Sequence, residues 1–151
     1  MPGVLRPAGF WIRAVAFLLD EILLGVTVGA LAVLTVLALW IQFIQRGLTV
    51  VSALVVGLLF AVVGIGLHAF YHTYLTGRLG QTVGKMAFGL QVVRVGGGPV
   101  GYGRAGLRWI GYLLTSLTLG VGFLAILIHP DKRGLPDWVA GTRVIHEEEG
   151  P

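Results

Sequence analysis

Two long apolar stretches constrain the fold of this chain more than any other feature of its sequence. Residues 22–44 carry no formal charge, and residues 48–75 contain no Asp, Glu, Lys or Arg. A helix needs about 20 mostly apolar residues to cross the hydrocarbon core of a bilayer, and each stretch is longer than that. The sequence therefore predicts two full transmembrane helices.

The composition favours the same class of protein. Hydrophobic residues make up 56% of the 151-residue chain and charged residues only 12%, and the mean hydropathy is +0.87. These values are more apolar than those of an ordinary soluble domain. The net charge is +4, but the basic residues lie beside the apolar segments, as residues that face anionic lipid do. We therefore expect the lipid bilayer as a partner and no nucleic acid.

The connections between segments bound the domain organisation. Only QRG, residues 45–47, separates the two stretches, so the two helices should form an antiparallel hairpin. No Pro- or Ser-rich linker divides the rest of the chain. We expect one transmembrane domain at residues 1–146, followed by an acidic tail at residues 147–151.

A third apolar segment, residues 109–128, is interrupted by hydroxyls and glycines at residues 115–122. It either spans the membrane or folds back as two half-helices. If it spans, four basic side chains lie on the outer side of the membrane: Arg46, Lys132, Arg133 and Arg143. If it folds back, only Arg46 remains there, which fits the positive-inside rule better. The charge pattern favours a re-entrant segment, with both termini cytoplasmic.

Two short β-rich runs predict a small addition to this all-α membrane fold. LQVVRV at residues 90–95 is followed by the turn-forming GGGPVGYG, and TRVIH occupies residues 142–146. We expect these two runs to pair as a small cytoplasmic β-ribbon.

Familiar catalytic and packing motifs give little support for an enzyme. GYGRAG at 101–106 matches a dinucleotide-binding pattern without its βαβ context, and GQTVGK at 80–85 lacks the spacing and hydroxyl of a phosphate-binding loop. The absence of cysteine excludes thiolate catalysis and disulfides. We expect neither an enzyme nor a cofactor. GVTVG at 25–29 predicts close helix packing within the protomer, or dimerisation as the alternative.

The first helix contains two acids within the apolar sequence LLDEILL, residues 18–24. Arg13 and Asp20 are seven residues apart, two turns of helix, and so lie on nearly the same face. Asp20 and Glu21 would lie inside the bilayer near its cytoplasmic surface. Carboxylates at such a depth normally face partners or water, so both acids need partners.

The second helix offers two imidazoles at a similar depth. His68 and His72 are four residues apart and therefore share a face, and histidine titrates close to neutral pH. Two interpretations remain open. In one, the acids belong to a structural ion network with Arg13 and the C-terminal cations. In the other, Asp20, Glu21, His68 and His72 bind or relay a proton or a small cation. Zinc fits by ligand type alone, and no metal is expected.

Three blocks of sequence resemble the RDD family of small membrane proteins. They are AGFWIRAVAFLLD at residues 8–20, GQTVGKMAFGLQVV at 80–93 with an arginine after it, and RGLPDWVAGTRVI at 133–145. The resemblance covers nearly the whole chain. It implies that the residues for which the family is named are Arg13, Asp20 and Asp137. Supporting positions in or after the blocks are Lys85, Arg108 and Arg133.

The resemblance also implies a prokaryotic protein of the cell (inner) membrane with about three transmembrane segments. Its suggested role is transport, including cation/proton exchange. It further implies that Asp137 lies on the same side of the membrane as the N-terminus, in agreement with the re-entrant segment.

Two functions follow as expectations. The first is transport, with Asp20 as the titratable site for a proton or monovalent cation, Arg13 holding Asp20 ionised, and Asp137 pairing with Arg13 or Arg108. A chain of this size has few helices with which to enclose a pathway, so a homo-oligomer or a partner membrane protein is expected. The alternative is a non-transporting scaffold or accessory subunit in which the Arg–Asp–Asp set is structural.

Overall fold

The computed structural model describes residues 7–47, 49–118, 120–128 and 130–146, without the side chain of Arg46. The predicted acidic tail at residues 147–151 lies outside this range. The elements in chain order are α1 (Phe10–Arg46), α2 (Val50–Leu79), α3 (Val83–Ala87), β1 (Leu90–Arg94), α4 (Gly101–Leu117), α5 (Val121–Ile128), α6 (Leu135–Ala140) and β2 (Thr142–His146).

Helices α1 and α2 confirm the prediction of two long apolar helices. Both are long and apolar enough to cross a bilayer. Their apolar side chains are largely exposed, as at Leu37 and Leu58. A soluble protein would bury such side chains, whereas lipid solvates them. The connection between the helices is short, since α1 ends at Arg46 and α2 begins at Val50.

The chain divides into two compact units, which are Glu21–His68 and the combination of Met1–Asp20 with Ala69–Pro151. Within Glu21–His68, a Cβ added to Gly64 would lie 3.8 Å from Val28. Among the described residues, no heavy atom lies within 4 Å of a Cβ added to Gly25 or Gly29. Val28 of GVTVG therefore packs against Gly64 within this unit, whereas the described residues show no close approach at Gly25 or Gly29 themselves.

The third apolar segment forms two helices, α4 and α5, bent by 105° relative to each other. The break falls in the stretch rich in hydroxyls and glycines. Just after α4 ends, Thr118 Oγ1 donates a hydrogen bond to the Leu114 carbonyl at 3.2 Å. Gly120 has a positive φ of 86°. Glycine adopts that conformation without the penalty other residues incur. The bent pair has the length and composition of one broken span or of a re-entrant loop.

The predicted pairing of the two β-rich runs is confirmed. Strands β1 and β2 are antiparallel, with Val92 opposite Val144 at the centre of the ladder. Both valines are buried and belong to the core cluster of the unit that contains them. The other members of this cluster are small or apolar side chains from α1, α4 and the neighbouring segments: Ala8, Ala16, Leu90, Val100 and Ala105.

Candidate functional site

Asp137 is fixed at the start of α6 by local backbone structure. Pro136 lies in the first turn, where its missing N–H costs nothing. Three residues after Gly134, the Asp137 carboxylate turns back and accepts a hydrogen bond from the Gly134 backbone N–H at 3.1 Å. An acid in the first turn satisfies a donor that the helix itself leaves unpaired. The start of α6 therefore helps to fix the position of this carboxylate.

Two buried arginines complete the Asp137 cluster, defined as Arg13, Arg108 and Asp137. Arg13 Nη1 donates to Asp137 Oδ2 at 2.7 Å, and Arg108 Nη1 donates to Asp137 Oδ1. The exposed fractions are 7% for Arg13, 3% for Arg108 and 2% for Asp137. Each carboxylate oxygen thus accepts a hydrogen bond from a different guanidinium. Such ion pairs are strong when water is excluded and the hydrogen bonds have good geometry.

The two arginines also form hydrogen bonds with the surrounding elements. Arg13 Nη2 donates to the Val144 carbonyl of β2 at 3.0 Å. Arg108 Nη1 donates to Thr142 Oγ1 at 2.6 Å, and Arg108 Nη2 donates to Tyr112 Oη at 3.2 Å. One carboxylate therefore connects α1, α4, α6 and β2.

Opposite charge determines the ionisation of Asp137. Burial alone would raise the pKa of its carboxyl, but Arg108 and Arg13 outweigh that effect and hold the pKa below its ordinary value of 3.8. Asp137 is therefore an anion at every physiological pH. This arrangement does not favour a group that must bind and release a proton.

The second buried acid forms a different cluster. Asp20 is fully buried, and Thr82 Oγ1 donates to its Oδ2 at 2.5 Å. Its Oδ1 accepts from the Gly84 backbone N–H at 2.7 Å and from Tyr71 Oη at 2.6 Å. We define the Asp20 cluster as Asp20, Tyr71, Thr82, Gly84 and Lys85. Its closest donors are neutral.

Gly84 lets the chain approach Asp20 closely. A Cβ at this position would collide with the Ala16 carbonyl of α1 and would lie 2.9 Å from Asp20 Cγ. Lys85 is also buried, and its Nζ lies 3.1 Å from Thr82 Oγ1 and 3.9 Å from Asp20 Oδ2. The GQTVGK stretch, which does not fit a phosphate-binding loop, thus surrounds a carboxylate of the same chain.

The structure corrects one sequence-based expectation. Arg13 was expected to hold Asp20 ionised, because the two share a helix face, but Arg13 donates to Asp137 and to the Val144 carbonyl instead. The donors at Thr82 and Gly84 approach Asp20 more closely than any arginine among the described residues. The three family residues therefore lie in two clusters, with Arg13 and Asp137 in one and Asp20 in the other.

The remaining titratable residues of the predicted site, Glu21, His68 and His72, belong to neither cluster. Within the unit Glu21–His68, His68 Nε2 lies 3.0 Å from Glu21 Oε1, and both side chains are about one-third exposed, at 27% and 34%. His72 belongs to the other unit, where it is buried. Its ring lies 5.3 Å from that of Tyr112 and 6.1 Å from that of Phe17.

Several contact residues were not predicted from the sequence. Tyr71, Thr82, Tyr112 and Thr142 all donate to or accept from a charged member of the two clusters. One pattern was available beforehand, since Tyr112 follows Arg108 by four residues on a helix. Arg133, which the sequence did single out, donates to the carbonyls of Thr142 at 3.2 Å and Asp137 at 3.3 Å.

The described structure combines two long apolar helices with ion pairs that are buried away from water. These features define a small integral membrane protein. The chain belongs to the RDD family, whose model matches residues 7–141. This assignment agrees with the resemblance carried by the three sequence blocks.

The chain is similar to three proteins of Bacillus subtilis (strain 168). It is 32% identical to Uncharacterized protein YckC, with 98% of this chain and 90% of the relative aligned. It is 28% identical to Uncharacterized protein YxaI, covering 94% and 99%. It is 29% identical to Uncharacterized membrane protein YteJ, covering 93% and 82%. No solved structure matches the chain.

Proposed function

We propose that this protein is a membrane scaffold or accessory subunit in which Arg13, Asp20 and Asp137 stabilise the fold. One observation carries the proposal. All four oxygens of the two buried carboxylates accept hydrogen bonds from donors of the same chain. A transported cation would therefore have to compete with a protein donor at every one of these oxygens.

Cation transport through Asp20 or Asp137 would require these donors to leave and return in each cycle. Separating one partner from a buried ion pair costs about 3–5 kcal/mol, because the charge that remains is desolvated and unpaired. Arginine does not release its proton in proteins, so the Asp137 cluster has no route to neutrality through Arg13 or Arg108. These groups are suited to holding elements together.

In this proposal α1 and α2 cross the cell membrane with the N-terminus cytoplasmic, and α4 and α5 enter and leave on that same side. The positive-inside rule supports this orientation, because only Arg46 would then face outward. Re-entrant backbone must pack against protein or line water. The scaffold would therefore act with a second copy or with another membrane protein.

Parallel measurements of stability and flux test the proposal. Asp20→Asn and Asp137→Asn should lower the melting temperature of the purified protein, whereas Lys132→Gln, at an exposed position, should not. Vesicles that contain the wild-type protein should show the same proton-coupled sodium, lithium and potassium flux as empty vesicles. Flux above that background, lost in a normally folded Asp20→Asn variant, would contradict the proposal.

A second candidate function is proton or monovalent-cation transport centred on Glu21 and His68. The observation that favours it is their 3.0 Å contact between two apolar helices, with both side chains partly exposed. Intramembrane acids and histidines often form proton relays. This candidate predicts that Glu21→Gln and His68→Gln abolish the flux. Thr27→Val is the control and should keep the flux with its normal pH dependence, because in the described structure the Thr27 hydroxyl bonds only to its own helix. Unchanged flux in the first two variants would exclude it.

A further inference from the structure

A small cavity lies beside the Asp137 cluster. Its volume is about 20 Å³, and its wall includes Arg13, Lys85, Arg108 and Tyr112. A cavity needs roughly 10–15 Å³ to hold one water molecule. The space therefore accepts a single water or a monatomic ion, and it excludes a phosphate group or a lipid headgroup.

The wall of this cavity carries more positive than negative charge. Its three cations are Arg13, Lys85 and Arg108, and its one carboxylate is Asp137. Even when the nearby Asp20 is counted, three buried cations face two buried carboxylates. Buried charge without a counter-charge is strongly unfavourable, so an additional anion would stabilise this region.

Two of the cations have donor capacity that the described protein atoms do not use. Arg13 Nε is buried and has no hydrogen-bond acceptor within the described residues. The ammonium of Lys85 has three N–H groups, and its nearest oxygen partners are Thr82 Oγ1 at 3.1 Å and Asp20 Oδ2 at 3.9 Å. Asp20 already accepts from three other donors. Buried donors of this kind normally point to a bound water or ion.

Three aromatic rings contribute to the wall, beside the smaller or aliphatic residues Ile126, Gly134, Pro136 and Val144. Phe17 lies 5.3 Å from Tyr112 and 5.2 Å from Phe123, measured between ring centroids, and all three line the cavity. Aromatic ring edges carry partial positive charge, and of these three aromatic side chains only Tyr112, through its hydroxyl, accepts a hydrogen bond from a cation among the described residues. An apolar wall also lowers the local dielectric constant, which strengthens the attraction between the cations and an anion.

From these observations we infer that the cavity binds one monatomic anion of the chloride class, held by Arg13, Lys85 and Arg108. A water molecule fits the same volume and would accept from Arg13 Nε, but it would leave the excess positive charge uncompensated. Arg133 adds to that excess, because its described contacts are to neutral carbonyl oxygens. This inference goes beyond the scaffold function and does not depend on it.

Thermal unfolding in different anions tests the inference on the full-length protein in detergent. Sodium chloride is titrated against sodium gluconate at constant ionic strength, which keeps general screening fixed. An anion that binds only the folded protein raises the melting temperature, and above its dissociation constant the rise follows the logarithm of the anion concentration. We expect that response with chloride and bromide and no response with sulfate, which is too large for the cavity. Saturable broadening of the chloride-35 NMR signal should give the same affinity.

Two lysine variants locate the site. Lys85→Met should weaken the apparent chloride affinity at least tenfold, and Lys132→Met, at an exposed position, should leave it unchanged. Equal melting temperatures in chloride and gluconate would mean a buried water only and would overturn the inference. An equal response to sulfate, or an unchanged response in Lys85→Met, would indicate surface binding and would also overturn it. If Lys85→Met does not fold, the wild-type anion series and the NMR titration decide.

Discussion

The protein buries two carboxylates in two different ways. Asp137 is surrounded by guanidinium groups, one on each oxygen, and has a single backbone N–H in addition. Asp20 accepts from a hydroxyl, a phenol and a backbone N–H, and its nearest cation is 3.9 Å away. Two contributions to the stability of a buried carboxylate usually occur together. Here charge neutralisation dominates at Asp137, and hydrogen bonds from neutral donors dominate at Asp20.

This difference predicts how much stability is lost when each acid is replaced. Removing the charge of Asp137 takes away the carboxylate that is bonded to two buried arginines, whereas removing the charge of Asp20 leaves donors that are mostly neutral. A lost ionic partner costs more than a misdirected neutral hydrogen bond. The Asp137 cluster should therefore be the more sensitive to isosteric substitution.

The largest effect is expected from Asp137→Asn. The substitution preserves shape but leaves Arg13 and Arg108 unpaired, so the free energy of unfolding should fall by about 3–5 kcal/mol. Denaturant unfolding in detergent, with Lys132→Gln at an exposed position as the control, measures the loss. A variant as stable as the wild type would show that the two guanidiniums are neutralised by another group.

Gly84→Ala should have the next largest effect. The added methyl group meets the Ala16 backbone carbonyl and the Asp20 carboxylate, neither of which can easily retreat, so we expect a loss of about 3 kcal/mol. Gly103→Ala is the matched control, because no heavy atom lies within 4 Å of its added Cβ. The comparison would fail if both alanine variants unfolded at the same denaturant concentration.

Asp20→Asn should be milder than Asp137→Asn. Its amide nitrogen must face at least one of the donors from Tyr71, Thr82 or Gly84, and an unsatisfied buried donor costs about 2 kcal/mol. The same unfolding measurement gives both values. A larger loss at Asp20 than at Asp137 would reverse the proposed ranking of charge over hydrogen bonding.

The smallest effect concerns pH. Because the folded pKa of Asp137 is lowered, its contribution to stability is fully present above the ordinary value of 3.8 and is lost as the pH falls through the lower, folded value. The difference in melting temperature between wild type and Asp137→Asn should therefore stay constant from neutral pH down to about 4. A difference that already shrinks between about pH 6 and 5 would contradict the lowered pKa.

The sequence predicted the parts of the fold that depend on local patterns. Segment length and hydropathy determine α1 and α2, and β-branched runs beside a glycine-rich turn indicate β1 and β2. The partners of the acids depend on contacts between residues far apart in the chain. Arg13 and Asp137 are separated by 124 positions, and Asp20 and Thr82 by 62.

The sequence-based error at Arg13 has a physical reason. Sharing a helix face places two side chains in the same direction, but it does not bring their ends together when they are two turns apart. The family resemblance identified Arg13, Asp20 and Asp137 as one set without indicating which acid the arginine contacts. Only the positions of α3 and α6 distinguish the two possibilities.

The separation between Arg13 and Asp137 also has a consequence for biosynthesis. The ribosome makes Arg13 124 residues before the carboxylate that neutralises it, so the first helix enters the membrane with an uncompensated guanidinium. The ion pair can form only after Asp137 has left the ribosome. We expect released chains truncated before residue 133 to be degraded faster in a pulse-chase experiment than released chains truncated after residue 146. Arg13 would thus depend for its counter-charge on a residue that is made much later.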